Sequence, residues 1–355
     1  MSSIAQLSQN QRNHRRRRLY CLVAFTLLLL PAAGLIMLSG ASELSYRQLL
    51  EGLFCRHDDV THLVVWQIRL PRLIGAILGG VSLSLSGAVL QAVLKNPLAA
   101  PTTLGIAQGA AFGAALGITC SSMRASFPNI FGVFSDVTNS VMISVFAFVF
   151  SMLTTVVIIL LTHLRRAGKE SIILAGVALS SLFMAGTTFL QYFADETQLA
   201  MIVHWTFGDL ARASWPELYL MGLVTLLSTG YFLVNRFNYN ALLAGDEVAQ
   251  SLGVNVVRLR LITMIIATLT TSVTVTFFGI LGFVGLIAPH MSRRLIGSDN
   301  CYLLPLSAII GALILIFADI SGQLLLDPVA LPAGVITSFL GTPVFLLLIF
   351  GSRSS

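Results

Sequence analysis

The chain has 355 residues, of which 56% are hydrophobic and 10% charged, with a formal net charge of +6 and a mean hydropathy of +0.87. An ordinary soluble domain is about 25% charged and leaves roughly a quarter of its surface exposed however it folds, so this composition excludes a soluble enzyme and a disordered chain. What remains is an all-α polytopic membrane protein: about ten helical spans, each needing about 20 apolar residues, would use most of the sequence and leave no loop long enough for a soluble domain.

The N-terminus carries Arg12 and Arg15 to Arg18, followed by an uncharged stretch from Leu19 to Gly40. Residues 1–18 read as a basic cytoplasmic tail and 19–351 as the transmembrane domain. The stretch is long for a signal-peptide core and reads as an uncleaved first helix, a cleaved signal being the alternative. Apolar runs broken by charges, Pro and Asn predict spans at 19–39, 66–93, 98–118, 140–163, 171–194, 215–235, 258–277, 279–296, 303–324 and 333–351. The seventh and eighth come from one apolar tract, which Gly279, Gly282 and Gly285 let turn. With the N-terminus inside, the inner side holds fifteen of the 21 basic residues, as the positive-inside rule requires. The outer side holds Arg47, Arg56, Arg69, Arg72, Arg124 and Arg212. Both termini then lie in the cytoplasm of a multi-pass membrane protein. The positive charge is an orientation signal, and no interleaved basic and aromatic patch points to nucleic acid.

Gly105, Gly109, Gly113 and Gly117 recur every four residues, and Ser82, Ser84, Ser86 and Gly87 add small residues to the preceding span. Such faces let helix backbones approach closely inside a bilayer. Catalytic patterns are missing. There is no phosphate-binding G-x-x-x-x-G-K-[ST], no H-E-x-x-H, no C-x-x-C and no G-x-S-x-G. Cys21, Cys55, Cys120 and Cys301 fall at unrelated spacings. Cys55 and Cys120 share a side, where a disulfide is the alternative to free thiols. His57, Asp58, Asp59 and His62 form a polar cluster in the first outer loop, read as solvated in preference to metal-binding. Asp319 is the one ionisable residue well inside a predicted span, about five residues or 7–8 Å from its outer end. A structural hydrogen bond is favoured there over a transport role. So few intramembrane charges argue against an ion-coupled secondary transporter, the remote alternative.

The inner loop from Asn235 to Arg260 mixes Leu242, Leu243, Val248 and Leu252 with charge and is too short to span. Asp246 and Glu247 suit the first turn of a short helix, and Gly253 suits its end. A short amphipathic helix on the cytoplasmic face is a docking element for a partner.

At these residues Gly245-Asp246-Glu247-x-Ala249-x-Ser251-Leu252-Gly253 resembles the coupling-helix motif of the iron-siderophore, haem and cobalamin uptake permeases, the membrane subunits of bacterial type II ABC importers. Four other segments resemble the family in order: Ile68-Arg69-Leu70-Pro71-Arg72, Asn96-Pro97-Leu98-Ala99-x-Pro101, Gly282-Phe283-Val284-Gly285-Leu286-Ile287-x-Pro289-His290, and Leu331-Pro332-Ala333-Gly334-Val335 with Leu340-Gly341-x-Pro343.

The resemblance implies the type II importer permease fold with ten helices per subunit. It also implies a second permease subunit, two cytoplasmic ATPases and a periplasmic binding protein. The cargo moves from periplasm to cytoplasm by alternating access; a ferric siderophore is favoured, with haem or cobalamin as alternatives. This chain would bind no cofactor and catalyse nothing itself, ATP and magnesium belonging to the partner ATPase. The ATPase contact falls on Gly245, Asp246, Glu247, Ala249, Ser251, Leu252 and Gly253, within the loop 237–256. Arg69 and Arg72 match arginines that dock acidic residues of the binding protein, while Gln323 stands where some relatives carry a further arginine. Lys169 and Glu170 fall at the cytoplasmic gate, and the fifth and tenth spans line the pathway.

Overall fold

The computed structural model describes residues 2–40, 45–54, 60–126, 139–164, 169–326 and 329–351, and among them there are helices, turns and loops but no strand. In chain order the helices are α1 (Ser2–Leu38), α2 (Tyr46–Phe54), α3 (Val60–Leu94), α4 (Ile106–Ser126), α5 (Asn139–Leu164), α6 (Lys169–Phe193) and α7 (Glu196–Thr206). Then follow α8 (Trp215–Val234), α9 (Arg236–Ala244), α10 (Asp246–Ser251), α11 (Val256–Phe278), α12 (Val284–Ile296), α13 (Asn300–Leu324) and α14 (Ala333–Gly351). Seven of the described helices are long and apolar enough to cross a membrane: α1, α3, α5, α6, α8, α11 and α13. Helices α4, α12 and α14 occupy the other three expected positions.

Three boundaries differ from the sequence reading. The predicted span from 98 starts as a helix only at Ile106. Pro97 and Pro101 disfavour helix in the residues before them, and the chain turns instead, with Asn96 Oδ1 accepting from the Leu98 amide at 2.8 Å and Thr103 Oγ1 from the Ala100 amide at 3.0 Å. The predicted span from 279 starts at Val284, because residues 279–283 form a loop tied to its neighbours. Beside it the Asp209 amide donates to the Phe278 carbonyl and the Gly334 amide to the Gly208 carbonyl, both at 2.8 Å, and within it Gly279 lies against Gly208 and Ile280 against Gly334. The basic tail is a continuation of α1, which begins at Ser2.

Helix α3 is the central element, with 78% of its apolar window buried, against 17% for α1 and for α6. It packs on α13, α11, α12 and α8. Gly80 of α3 and Gly311 of α13 meet backbone to backbone, and a methyl on either would collide with the other's main chain. Small residues at such crossings allow the close van der Waals packing that holds helices together in lipid. Ser82 and Thr225 add a hydroxyl pair at 2.7 Å between α3 and α8. The glycine stripe behaves similarly: Gly109, Gly113 and Gly117 lie against the α5 backbone near Phe150, Phe146 and Ile143. Gly105 departs from it, sitting in the turn before α4 against Gly176 of α6.

Two ends of the bundle matter for function. One carries Arg15 to Arg18, Lys95, Arg236, Arg258, Arg260, Arg293 and Arg294, and is called the basic end. The opposite end carries Arg69, Arg72, Asp209 and Glu217.

Candidate functional site

At the basic end α9 and α10 form a small cap. Gly245 joins them with φ of +132°, a conformation that costs glycine little and other residues a good deal. Helix α10 opens on Asp246 and Glu247, where the helix dipole favours acids. It closes in a Schellman turn: the Gly253 amide donates to the Gln250 carbonyl at 2.9 Å and the Val254 amide to the Ala249 carbonyl at 3.0 Å. The expected short helix with acids first and glycine last is therefore present, preceded by a second one.

Asp246 ties this cap to two long helices. Its carboxylate meets Lys95 Nζ at 2.7 Å and Arg260 Nη2 at 3.2 Å. Lys95 closes α3 and Arg260 lies in the first turns of α11, where its Nε also donates to the Val93 carbonyl at 2.9 Å. Ala249 is buried beneath the cap. On the far side Glu247 and Ser251 are exposed, and Leu243, Val248, Leu252 and Val257 are 49%, 44%, 68% and 67% exposed. An apolar patch edged by a carboxylate thus projects from the basic end.

Helix α9 is anchored by a second network. Tyr239 and Leu242 are fully buried. Burial pushes the Tyr239 hydroxyl well above its ordinary pKa, so it stays protonated beside Thr263 Oγ1 at 3.1 Å. Asn240 donates from Nδ2 to Asp299 at 2.8 Å, and its Oδ1 accepts from the Asn300 amide at 2.8 Å. Arg18 of α1 completes the group, 3.1 Å from Asp299 and 5.3 Å from the Tyr302 ring centre. Partial burial works to raise the Asp299 pKa, but hydrogen bonds from Asn240 and the Cys301 amide, with the Arg18 charge, bring it below the usual carboxylate value.

At the opposite end the two arginines singled out by sequence turn inward. Arg69 ends a π-helical turn, Val64–Arg69, just before Pro71. It is 4% exposed and donates to the Met37 carbonyl beneath Gly40. Arg72 grips Asp319 through Nε at 2.8 and 2.9 Å and through Nη2 at 2.8 Å, and Gln323 Nε2 adds a fourth hydrogen bond at 2.7 Å. Asp319 is fully buried and Arg72 side-chain exposure is 15%. An unpaired carboxylate in apolar surroundings is costly, which is why Arg72 points at Asp319 and away from solvent. The sequence identified both residues but could not pair them. Nearby, His62, Trp66, Trp215 and Tyr219 form a run of ring contacts at 6.1, 6.2 and 5.8 Å, an aromatic band of the kind found at membrane interfaces. His62 is thus stacked, and no metal-binding group of His, Cys, Asp and Glu occurs among the described residues. Cys55, His57, Asp58 and Asp59 lie outside them. Lys169 and Glu170 open α6, but their side chains lie outside the described set.

Helices α6 and α14 leave large side chains outward: Leu182, Phe189 and Phe193 are 64%, 62% and 70% exposed, and Phe339 is 76% exposed.

Comparison with known proteins agrees with this architecture. An ABC transporter permease protein of Methanocaldococcus jannaschii is 45% identical over 312 residues, covering 87% of this chain and 88% of its own. The hemin transport system permease protein of Yersinia pestis is 34% identical over 335 residues, covering 94% and 95%. A solved structure of a metal-chelate type ABC transporter in an inward-facing conformation superposes with a TM-score of 0.78 at 30% identity, covering 93% of this chain and 98% of that one. The FecCD transport family matches from residue 25 to residue 351, and this chain belongs to that family.

Proposed function

We propose that this chain is the permease subunit of an ATP-driven importer that carries a ferric siderophore from the periplasm to the cytoplasm. The observation that carries the reading is the cap formed by α9 and α10. An exposed apolar patch on two short helices, locked through Asp246 to the ends of α3 and α11, suits a surface that receives mechanical work from a partner. The sequence has no phosphate-binding loop of its own, so the free energy has to arrive through such a contact. The positive-inside rule assigns the basic end to the cytoplasm, where two ATPase subunits would dock on Leu243, Glu247, Val248 and Leu252. A second permease subunit would cover the outward faces of α6 and α14, and Lys169 and Glu170 would stand at the inner gate.

For the cargo, the metal-chelate type transporter among the similar structures supports a chelated metal, and a ferric siderophore is our choice within that class. The hemin permease of Yersinia pestis keeps haem as the second reading, with cobalamin the third. A periplasmic binding protein would deliver the chelate to the opposite end. A docking role for Arg69 and Arg72 requires the partner's carboxylates to compete with the Met37 carbonyl and with Asp319.

The test compares wild type with Glu247→Lys plus Leu252→Asp in nanodiscs, with the ATPases and binding protein present. Both side chains are exposed, so the fold is spared. Loss of stimulated ATP hydrolysis together with loss of chelate uptake supports the reading. Unchanged uptake that follows the proton gradient overturns it in favour of secondary transport.

A further inference from the structure

Helices α5 and α8 both pack on α11. Between them, with α11 as the floor, a groove of about 580 Å³ opens to the side, and Val145 and Leu220 on its rim are 52% and 49% exposed. The lining sorts by depth along these helices. Ser140 and Ser144 lie in the first turns of α5, Glu217 in the first turn of α8 and Thr276 in the last turn of α11. All four therefore belong to the end opposite the basic one. Val145, Phe148, Val224 and Leu269 line the groove farther from that end. Each helix offers a single face: Ser140, Ser144 and Phe148 recur every four residues, and Glu217 and Val224, like Leu269 and Thr276, are two turns apart.

Trp215 and Tyr219, two residues to either side of Glu217, belong to the aromatic band, which sets Glu217 at the depth of lipid headgroups. From Glu217 to Val224 is about 10 Å along the helix axis, so the apolar part of the groove lies at acyl-chain depth. The protein leaves the polar end incompletely used. Glu217 Oε2 accepts from the Ser214 amide at 3.3 Å, and the carboxylate has no ion-pair partner among the described residues. Thr276 is 4% exposed and its hydroxyl has no hydrogen-bond partner, whereas Thr225, Thr270 and Thr274 on the same two helices bond back to their own carbonyls. The cation of this corner is Arg212. Burial lowers its pKa while Asp209 and Glu217 act from a distance to raise it, and it stands 5.7 Å from the Trp205 ring centre without pairing to either acid. Two carboxylates thus share the corner with one guanidinium, and a further cationic group is favoured there.

We propose that this groove binds a phospholipid with a primary-ammonium headgroup, from the leaflet facing the end opposite the basic one. The ammonium donates to Glu217, a charge-assisted bond. The hydroxyls of Ser140, Ser144 and Thr276 donate to phosphate and ester oxygens, and one acyl chain lies along Val145, Phe148, Val224 and Leu269, where its burial supplies the apolar part of the affinity. A lipid without the ammonium brings only its anionic phosphate beside Glu217 and is repelled. The proposal rests on the chain spanning a membrane and is independent of the cargo.

The experiment uses the full-length chain with its partner subunits, delipidated in detergent and titrated with dioleoylphosphatidylethanolamine or dioleoylphosphatidylglycerol, bound lipid being counted by native mass spectrometry. Three variants accompany wild type: Glu217→Gln, which keeps a capping-box side chain at the start of α8; Val145→Trp, which fills the groove from an exposed position; and Glu196→Gln, an exposed acid at the start of α7 and outside the groove. The expected result is one phosphatidylethanolamine retained per chain and no retained phosphatidylglycerol. Glu217→Gln and Val145→Trp should each weaken retention by at least about tenfold, and Glu196→Gln should leave it unaltered. Thermal unfolding checks that each variant is folded, and the comparison of the two lipids on wild type needs no variant. Equal retention of both lipids, or no effect of Glu217→Gln, overturns the proposal. An effect of Glu217→Gln without one of Val145→Trp also overturns it, by moving the lipid out of the groove. So does a cross-link from Val145→Cys to a partner subunit, which places protein there instead.

Discussion

Breaking the Arg72–Asp319 pair is the sharpest test of how the end opposite the basic one is built. Asp319→Asn keeps the volume and removes the charge, leaving the Arg72 guanidinium, at 15% exposure, without a counter-charge. Arg72→Gln is the harsher change, because it leaves a fully buried carboxylate with Gln323 as its remaining donor. Removing one partner of a buried pair costs about 3–5 kcal/mol. We expect Arg72→Gln near the upper figure and Asp319→Asn near the lower one, since Arg72 retains some access to water. The double variant places two amides where the ions were, and these can bond to each other, so it should lose only about 1 kcal/mol. The coupling energy on these figures is about 7 kcal/mol, far above the roughly 0.3–0.5 kcal/mol scatter of independent sites. Thermal unfolding of the four proteins in one detergent, read by intrinsic fluorescence, supplies the cycle. Additive single effects would refute the pairing argument. So would an Arg72→Gln protein that melts like wild type but binds the delivery protein less tightly, for then Arg72 is a free docking cation in the membrane-embedded protein.

Three further outcomes follow from named contacts. Gly80→Ala drives a methyl into the Gly311 backbone, so the variant should accumulate poorly and melt well below Gly230→Ala, whose new methyl meets nothing within 4 Å; equal melting temperatures would refute the close-contact argument. Asp246→Asn weakens ties to Lys95 and Arg260 that are about one third exposed, so stability should change by less than about 1 kcal/mol, while ATP hydrolysis stimulated by the delivery protein falls severalfold in nanodiscs. The Asp299 pKa is lowered in the folded chain, so its contribution is fully present above the ordinary carboxylate value of about 3.9 and is lost as pH falls through the folded value. The melting-temperature gap between wild type and Asp299→Asn should therefore hold from pH 7 to 5 and close only in stronger acid.

Local features were readable from the sequence and pairings were not. The α10 helix announces itself through acids in its first turn and glycine at its end, both local electrostatic and conformational signals. The spans were visible because a bilayer demands a fixed length of apolar chain, and the glycine stripe because a four-residue repeat selects one helix face. By contrast, Arg72 and Asp319 are 247 residues apart and Arg18 and Asp299 are 281 apart, and no periodicity connects such positions. The late start of α4 was signalled by Pro97 and Pro101, but hydropathy averaged over a window hid their effect. For α12, glycine marked the turn correctly, yet the loop's extent depends on Gly208, Asp209 and Gly334, which lie far away in sequence.

The contacts at the two ends belong to the same two helices. Helix α3 ends on Lys95, bonded to Asp246 of the cap, and carries Arg72 near its start. Helix α13 begins at Asn300, bonded to Asn240 of the cap, and carries Asp319 near its other end. Between these ends Gly80 and Gly311 press the backbones together. Sliding α3 along α13 would break the three Arg72 bonds to Asp319 and the glycine contact at once, so the pair is expected to move as one body with the cap attached. A push on the cap therefore cannot be absorbed inside this pair and has to appear at its borders. The borders are irregular chain: the turns at 96–105 lead out of α3, and the loop at 279–283 leads into α12. Each supports a little-buried helix. Gly176 of α6 rests on Thr103 and Leu104, and Gly341 of α14 rests on Phe283, a non-glycine residue held at φ of +62°. If the cap is driven as proposed, α6 and α14, which rest on these borders, are the helices we expect to be displaced.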